Sequence, residues 1–369
     1  MELVFWASFA AVAYAYFGYA LALALFAVKH PVDKADKQPA TATISILIAA
    51  RNEEANLARK LENLRAQDYP AHRIQTIVVS DGSTDGTATL LAAHPEVTPI
   101  LLPFSGGKAA ALNQAVLKAT GDILVFLDAR QSLDPNAVSE LLACFADPTV
   151  GAVSGELLLE SPDGRPTGDA LGLYWKIEKF VRKLESETGS VVGVTGAIYA
   201  IRRELFVPMP PGLLLDDVFV PMNVARARKR VLFQSSAIAR DQIFVQPGKE
   251  FSRKVRTLTG NYQLVQLAHW LLTPSNPLLI RFISHKLARL AVPLFLILML
   301  ITSAVLLAHP FYKAILLAQL VFYGLALAGE IHPGLKQLKP IAIPNTFVML
   351  NLAAAFAFYN FLTGRKAWG

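Results

Sequence analysis

The sequence predicts an α/β domain on a mainly parallel, doubly wound sheet, with one apolar helix before it and about three after it. Two observations carry this. From about residue 43 to residue 128, short β-branched runs alternate with segments whose apolar residues recur at helical spacing, as in right-handed β-α-β crossovers. Long uncharged stretches stand at both ends of the chain, and 53% of its 369 residues are hydrophobic, more than in an ordinary soluble enzyme.

The first element is Leu3 to Val28, which contains no charge and is long enough to cross a hydrocarbon core of about 30 Å. Glu2 stands where a signal peptide would be basic, and the apolar run is too long for a signal-peptide h-region, so the expectation is an anchor over residues 1–28. Lys29, Lys34 and Lys37 follow the span, which by the positive-inside rule puts the N-terminus outside and the following domain in the cytosol. The cell inner membrane is the expected location.

Thr43 to Ala49 reads as a buried strand, and Asn56 to Gln67 as a helix that repeats Leu57, Leu61 and Leu64. Strands at Ile74–Val79, Val97–Leu102 and Ile123–Leu127 and helices at Thr84–His94 and Ala109–Ala119 continue the alternation. Polar residues collect where the strands end: Ala50-Arg51-Asn52-Glu53, Ser80-Asp81-Gly82-Ser83, Gly106-Gly107-Lys108 and Asp128-Ala129-Arg130. Each alone could be a capped turn. Four at neighbouring carboxyl ends make one ligand site, where open α/β sheets bind. A dinucleotide fingerprint and a phosphate loop are excluded, because the glycine spacing of neither is present.

Farther along, Asp216 and Asp217 precede a helix expected over Val218 to Lys229, and Arg253 and Arg256 lie three apart on another. Tyr262 to Ile283 reads as interfacial helices. Apolar stretches follow at Leu290–Ala308, Ala314–Gly329 and Ile341–Gly364, the middle one short between Lys313 and Glu330. Four spans would leave Arg365 and Lys366 outside, against the charge rule, so the C-terminal topology stays open. The expected divisions are an anchor at 1–28, a catalytic domain at 29–260, interfacial helices at 261–286 and a membrane bundle at 287–369. Cys144 is the only cysteine, which excludes an internal disulfide and a thiolate zinc site. The net charge of +7 is dispersed and no nucleic-acid module is present, so it fits anionic lipid and phosphorylated substrates.

The ordered set Ile48-Ala-Ala-Arg-Asn-Glu-Glu, Val78-Val-Ser-Asp-Gly-Ser-Thr-Asp-Gly-Thr, Gly107-Lys108 with Leu112-Asn113, and Phe126-Leu-Asp128 resembles the nucleotide half of family 2 glycosyltransferases. Thr195-Gly196-Ala197 with Arg202-Arg203-Glu204 is similar to that family's acceptor-side segment, Leu215-Asp216-Asp217 to its catalytic acid motif, and Arg253-x-x-Arg256 to its (Gln/Arg)-x-x-Arg-Trp motif. The flanking spans resemble the membrane-embedded branch that includes hyaluronan, chitin and cellulose synthases and ceramide glucosyltransferases.

The resemblance implies a GT-A fold, a nucleotide-diphosphate sugar donor (a UDP-sugar first among them), a glycan or lipid acceptor, and inversion at the anomeric carbon. It implies donor binding by Ala50, Arg51, Asn52, Glu53, Asp81, Lys108, Asp128, Arg130, Arg253 and Arg256, with Asp81 on the base edge and Lys108 by the diphosphate. Asp217, beside Asp216, becomes the candidate general base, and Thr195, Gly196, Ala197 and Trp175 the acceptor side. Membrane lipid is an expected partner, and self-association is allowed.

Two departures matter. Thr257 stands where the family has Trp, against processive polymerisation, and Arg130 stands where many members carry a second acid. Either Asp128 holds Mg²⁺ or Mn²⁺ through the diphosphate, or Arg130 substitutes for the ion. Two other functions stay open: a polyprenyl-phosphate sugar transferase, and a catalytically idle nucleotide- or glycan-binding pseudo-transferase.

Overall fold

The computed structural model describes residues 1–29, 37–38, 41–160, 170–242 and 249–365. Lys34 and Lys366 lie outside the described residues, as do the side chains of Tyr174 and Trp175. In chain order, α1 (Glu2–Lys29) is followed by β1 (Ile44–Ala50), α2 (Glu54–Arg65), β2 (Ile74–Asp81), α3 (Thr87–Ala92), β3 (Val97–Leu102), α4 (Lys108–Lys118) and β4 (Ile123–Asp128). Then come β5 (Ser132–Leu133), α5 (Ala137–Ala143), β6 (Val150–Glu160), α6 (Ala170–Glu187), β7 (Ile198–Arg202), α7 (Asp216–Arg226) and β8 (Arg230–Gln242). The chain closes with α8 (Lys249–Leu267), α9 (Leu279–Val305), α10 (Pro310–Ile331) and α11 (Lys339–Thr363).

The eight strands form one sheet in the order β3-β2-β1-β4-β7-β6-β8-β5. β1 pairs in parallel with β2 and β4, and β2 with β3, as the alternation predicts. β7 enters antiparallel between β4 and β6, while β6 and β8 run parallel to each other. Six strands therefore point their carboxyl ends one way, and β7 starts at that same edge. This is how the segment before β7 reaches the end of β4.

Both faces of the sheet are covered, so β1 is apolar throughout except for the buried Ser45, whose hydroxyl is hydrogen-bonded to Gln75. Its Ile44, Ile46, Ile48 and Ala50 face a core with Leu57, Leu61 and Leu64 of α2 and Val138, Leu141 and Leu142 of α5. Leu47 faces the opposite core, which holds Leu112 of α4, Val218 and Met222 of α7, and also Leu264, Leu271 and Phe282 from the segment leading into the apolar helices. Each fully buried Leu or Ile of these layers contributes about 1.5–3 kcal/mol. The second core thus fastens the domain to the helices beyond it.

Among the described residues, four helices are long and apolar enough to cross a membrane. The middle C-terminal one differs from expectation. It runs through both bounding charges, Pro310–Ile331, because Pro310 fits the first turn, the His309 ring accepts from the Phe311 N–H, and Glu330 is held by Lys336 at 2.7 Å. At about 1.5 Å per residue its 22 residues match a hydrocarbon core. Helix α8 runs unbroken across the expected 260/261 division and stacks Tyr262 on Phe361 of α11, with ring centroids 5.2 Å apart.

A buried polar lock joins α1, α6 and α9. Tyr19 Oη donates to Glu185 at 2.6 Å, the His285 ring lies 2.9 Å from Glu185 and 3.0 Å from Glu178, and Arg289 donates to Glu178 at 2.9 Å. Burial opposes the charge on Glu178 and Glu185, but the facing cations hold both carboxyls below the usual range. Arg281 caps the end of α6 by donating to the carbonyls of Glu185, Thr188 and Ser190. His285, expected at an interface, is buried in this lock.

Candidate active site

The loops after β1 and β2 are laced together before any ligand arrives. Asn52 adopts a positive φ of 55°, which Asn tolerates, and its Oδ1 accepts from the Thr84 N–H at 2.8 Å. Glu53 donates its N–H to Thr87 Oγ1 at 3.0 Å and accepts from Asn56 at 2.7 Å. Arg51 is exposed beside them.

Asp81 ends β2 almost fully buried and accepts three hydrogen bonds: from Ser105 Oγ at 2.8 Å, Gly106 N at 2.8 Å and Gly107 N at 2.9 Å. In this state its carboxylate shapes the loop that opens α4. Gly82 makes that loop's approach feasible. At φ +61° a Cβ would sit 2.5 Å from Ser105 N and 2.8 Å from Phe104 C, both backbone atoms that cannot yield cheaply. Gly82→Ala is therefore expected to cost about 1–3 kcal/mol, read as a lowered thermal midpoint of the detergent-solubilised protein.

The ordered loop delivers Lys108 to the centre. Its Nζ donates to Asp128 Oδ1 at 2.9 Å and lies 3.1 Å from Asp216 Oδ2, a charge contact without hydrogen-bond alignment. Burial disfavours the ammonium, but Asp128, Asp216 and Asp217 overcome it and hold Lys108 protonated well above the usual lysine range. Asp128 at the end of β4 and the Asp216-Asp217 pair thus share one cation.

Asp216 and Asp217 are the first two residues of α7 rather than its cap, and the helix starts two residues earlier than expected. Burial and the neighbouring Asp216 push the Asp217 carboxyl up to about 6, against the opposing pull of Lys108, Lys286 and Arg182. The Asp217 carbonyl accepts from Val194 N at 2.8 Å, and Thr195 N donates to Ser154 Oγ at 3.0 Å. Gly196 follows, where a Cβ would lie 3.3 Å from Lys108 Nζ and 3.7 Å from Asp128 Oδ2. Gly196 thus comes beside Lys108 and Asp128, and Val194, two residues before it, reaches the first turn of α7.

Arg130 does not. It turns from Asp128 to form an ion pair with the buried Asp241 of β8, whose Oδ2 also accepts from Gln131 Nε2 at 3.1 Å. α2 holds the same loop through Lys60, donating to the Gln131 carbonyl at 2.9 Å, and Arg59, donating to the Arg130 carbonyl at 3.1 Å. Burial lowers Lys60 to about 7. With its charge spent on Asp241, Arg130 is not placed to stand in for an ion.

Arg253 and Arg256 share α8 and are both exposed, outside the Lys108 cluster. Trp175 lies on α6, its side chain outside the described residues. Sequence reasoning missed Asp241, Lys60, Lys286 and Tyr199. The hydroxyl of Tyr199 is fully buried without a hydrogen-bond partner among the described residues, and its ring stacks on Phe126 at 4.6 Å. Burial and the carboxylates of Asp216, Asp217 and Asp128 raise this phenol.

Among the described residues no three His, Cys, Asp or Glu side chains come together as a complete metal cage. A divalent ion that keeps most ligands from substrate and water needs less. The Asp128 side chain is 37% exposed, and the bare Cα of Gly196 leaves room beside its Oδ2. One carboxylate open to a diphosphate fits Mg²⁺ or Mn²⁺.

The model of glycosyl transferase family 2 matches residues 45–207. Over 116 residues the chain is 33% identical to the beta-monoglucosyldiacylglycerol synthase of Synechocystis, covering 30% of this chain and 24% of that protein. Over 234 residues it is 25% identical to the poly-beta-1,6-N-acetyl-D-glucosamine synthase of Staphylococcus aureus, covering 60% of this chain and 55% of that one. The chain thus spans about half of one curated relative and a quarter of the other. A mannosyltransferase from Pyrobaculum calidifontis, solved in complex with GDP-Man and Mn²⁺, superimposes with a TM-score of 0.76 over 99% of both chains at 23% identity.

Proposed function

We propose that this chain, whose residues 45–207 match the model of glycosyl transferase family 2 on a GT-A fold, is an integral-membrane, inverting glycosyltransferase that moves a sugar from a nucleotide-diphosphate donor to a hydroxyl of a glycan or lipid. The observation that carries the reading is Lys108, which joins Asp128 on the donor side to Asp216 and Asp217 on the acceptor side. A site that only held nucleotide would not need the acid pair. Lys29 and Lys37 after α1 support a cytosolic domain.

The reaction needs a base on one face of the sugar and charge neutralisation on the other. Asp217 takes the acceptor hydroxyl proton as its oxygen attacks the anomeric carbon. The bond from that carbon to the diphosphate oxygen breaks with its electron pair, and the configuration inverts. Lys108 offers its ammonium to the departing diphosphate, and Asp81 holds the loop that aims it. Asp128 would hold Mg²⁺ or Mn²⁺ together with diphosphate oxygens, and the ion would add charge neutralisation there. Arg253 and Arg256, exposed on α8, supply further guanidinium groups for the donor.

The acceptor class stays broad, since one relative is named for a glycolipid and the other for a polysaccharide. The test is a screen of UDP- and GDP-sugars on membranes containing the protein, with and without chelator. The expected result is release of the matching nucleoside diphosphate, lowered by chelator and restored by Mg²⁺ or Mn²⁺. No release from any donor would sink the reading, and chelator-resistant turnover would remove the ion from it.

A further inference from the structure

Lys286 sits in the first turns of α9, outside the segment matched by the family model, and its place is fixed by its neighbours. Arg281 is tied to three carbonyls at the end of α6, His285 lies between Glu178 and Glu185, and Arg289 holds Glu178. Lys286 itself is half-buried and makes no hydrogen bond or ion pair among the described residues. It points toward the buried loop Val191–Val194. A Cβ on Gly193 would lie 3.5 Å from Lys286 Nζ and 3.5 Å from the Asp217 carbonyl oxygen, so the bare Cα of Gly193 separates the ammonium from the first turn of α7. The bond from Val194 N to that carbonyl fixes the other side of the gap.

We infer that Lys286 is a positioning residue for the base: across Gly193 its ammonium faces the first turn of α7, and so ties proton abstraction by Asp217 to the seating of the domain on a membrane-spanning helix. This rests on the glycosyltransferase reading and on Asp217 as its base.

The charged groups around Asp217 support the choice. On its own helix, Asp216 opposes ionisation. From α4, Lys108 favours it but is shared with Asp128 and Asp216. From α6, Arg182 favours it but lies 3.5 Å from Glu178. From β7 the Tyr199 hydroxyl approaches, and from α9 Lys286 is the cation whose field reaches Asp217, whereas Arg281 is tied to carbonyls and Arg289 to Glu178. Glu178, Glu185 and His285 also stand near Lys286, and the two glutamates feel its field.

The experiment is the pH dependence of nucleotide release by the full-length protein in membranes, for wild type, Lys286→Met, Lys286→Gln and Lys286→Arg. Removing a cation raises a nearby carboxyl, so the acidic limb should move up by about half a unit to one unit in the Met and Gln variants. Lys286→Arg, which keeps the charge, should retain the wild-type limb. The Gln variant keeps the test open if Met is not tolerated. A limb that stays in place in a folded Met or Gln variant overturns the inference, as does an Arg variant that shifts as far as either. Wild-type protein that releases no nucleotide at any pH defeats the underlying function instead, which keeps the two failures distinct.

Discussion

Asp217→Asn should lower turnover by about 10²- to 10⁴-fold, the range that a positioned general base contributes. The amide keeps the shape of the side chain and its place at the start of α7, but it cannot accept the acceptor proton. The wild-type enzyme adds a second signature. Burial and Asp216 push the Asp217 carboxyl up to about 6, so the base is ionised above that pH and protonated below it. Activity should therefore rise as pH increases through about 6 and level off above it, while the residual rate of the Asn variant loses this limb. Nucleotide release measured from pH 4 to 8 on both proteins reads the two effects together. Full turnover in the Asn variant would remove Asp217 from the mechanism.

The local part of this architecture was legible in the sequence, and the long-range part was not. β1 to β4 announce themselves through β-branched runs between helical periods, and the four polar strand ends follow from a parallel sheet. The middle C-terminal helix is longer than the apolar run Ala314–Gly329 because a charge does not end a helix: Glu330 stays within α10, paired with Lys336. Arg130 was visible as an anomaly after Asp128, but its partner Asp241 lies 111 residues away in β8. No periodicity encodes such a pair. Lys60 occupies the buried face of an amphipathic helix, and its carbonyl partner Gln131 becomes visible only when α2 packs beside β5. The sequence marks Lys108 as a candidate for the diphosphate, but no periodicity shows that its ammonium reaches both Asp128 and Asp216.

That reach makes Lys108→Met the other large effect, with an expected loss of about 10²- to 10³-fold in kcat/KM for the donor. Two consequences combine. The departing diphosphate loses a cation positioned by Asp81 through Ser105, Gly106 and Gly107. Asp128 and Asp216, which now share one ammonium, are left facing each other with only their mutual repulsion. The Lys108 side chain is 36% exposed, so water softens part of that penalty, and the loss should fall more heavily on catalysis than on folding. Lys108→Arg separates the contributions. It keeps a charge for Asp128, but its planar fork does not fit the point contact that one Nζ makes with both acids, so recovery should be partial. Combining Lys108→Met with Asp216→Asn removes the repulsion without restoring the cation. Thermal stability should then recover while donor kcat/KM stays low, and a double variant that regained donor kcat/KM would show that Lys108 serves the acids alone and not the diphosphate.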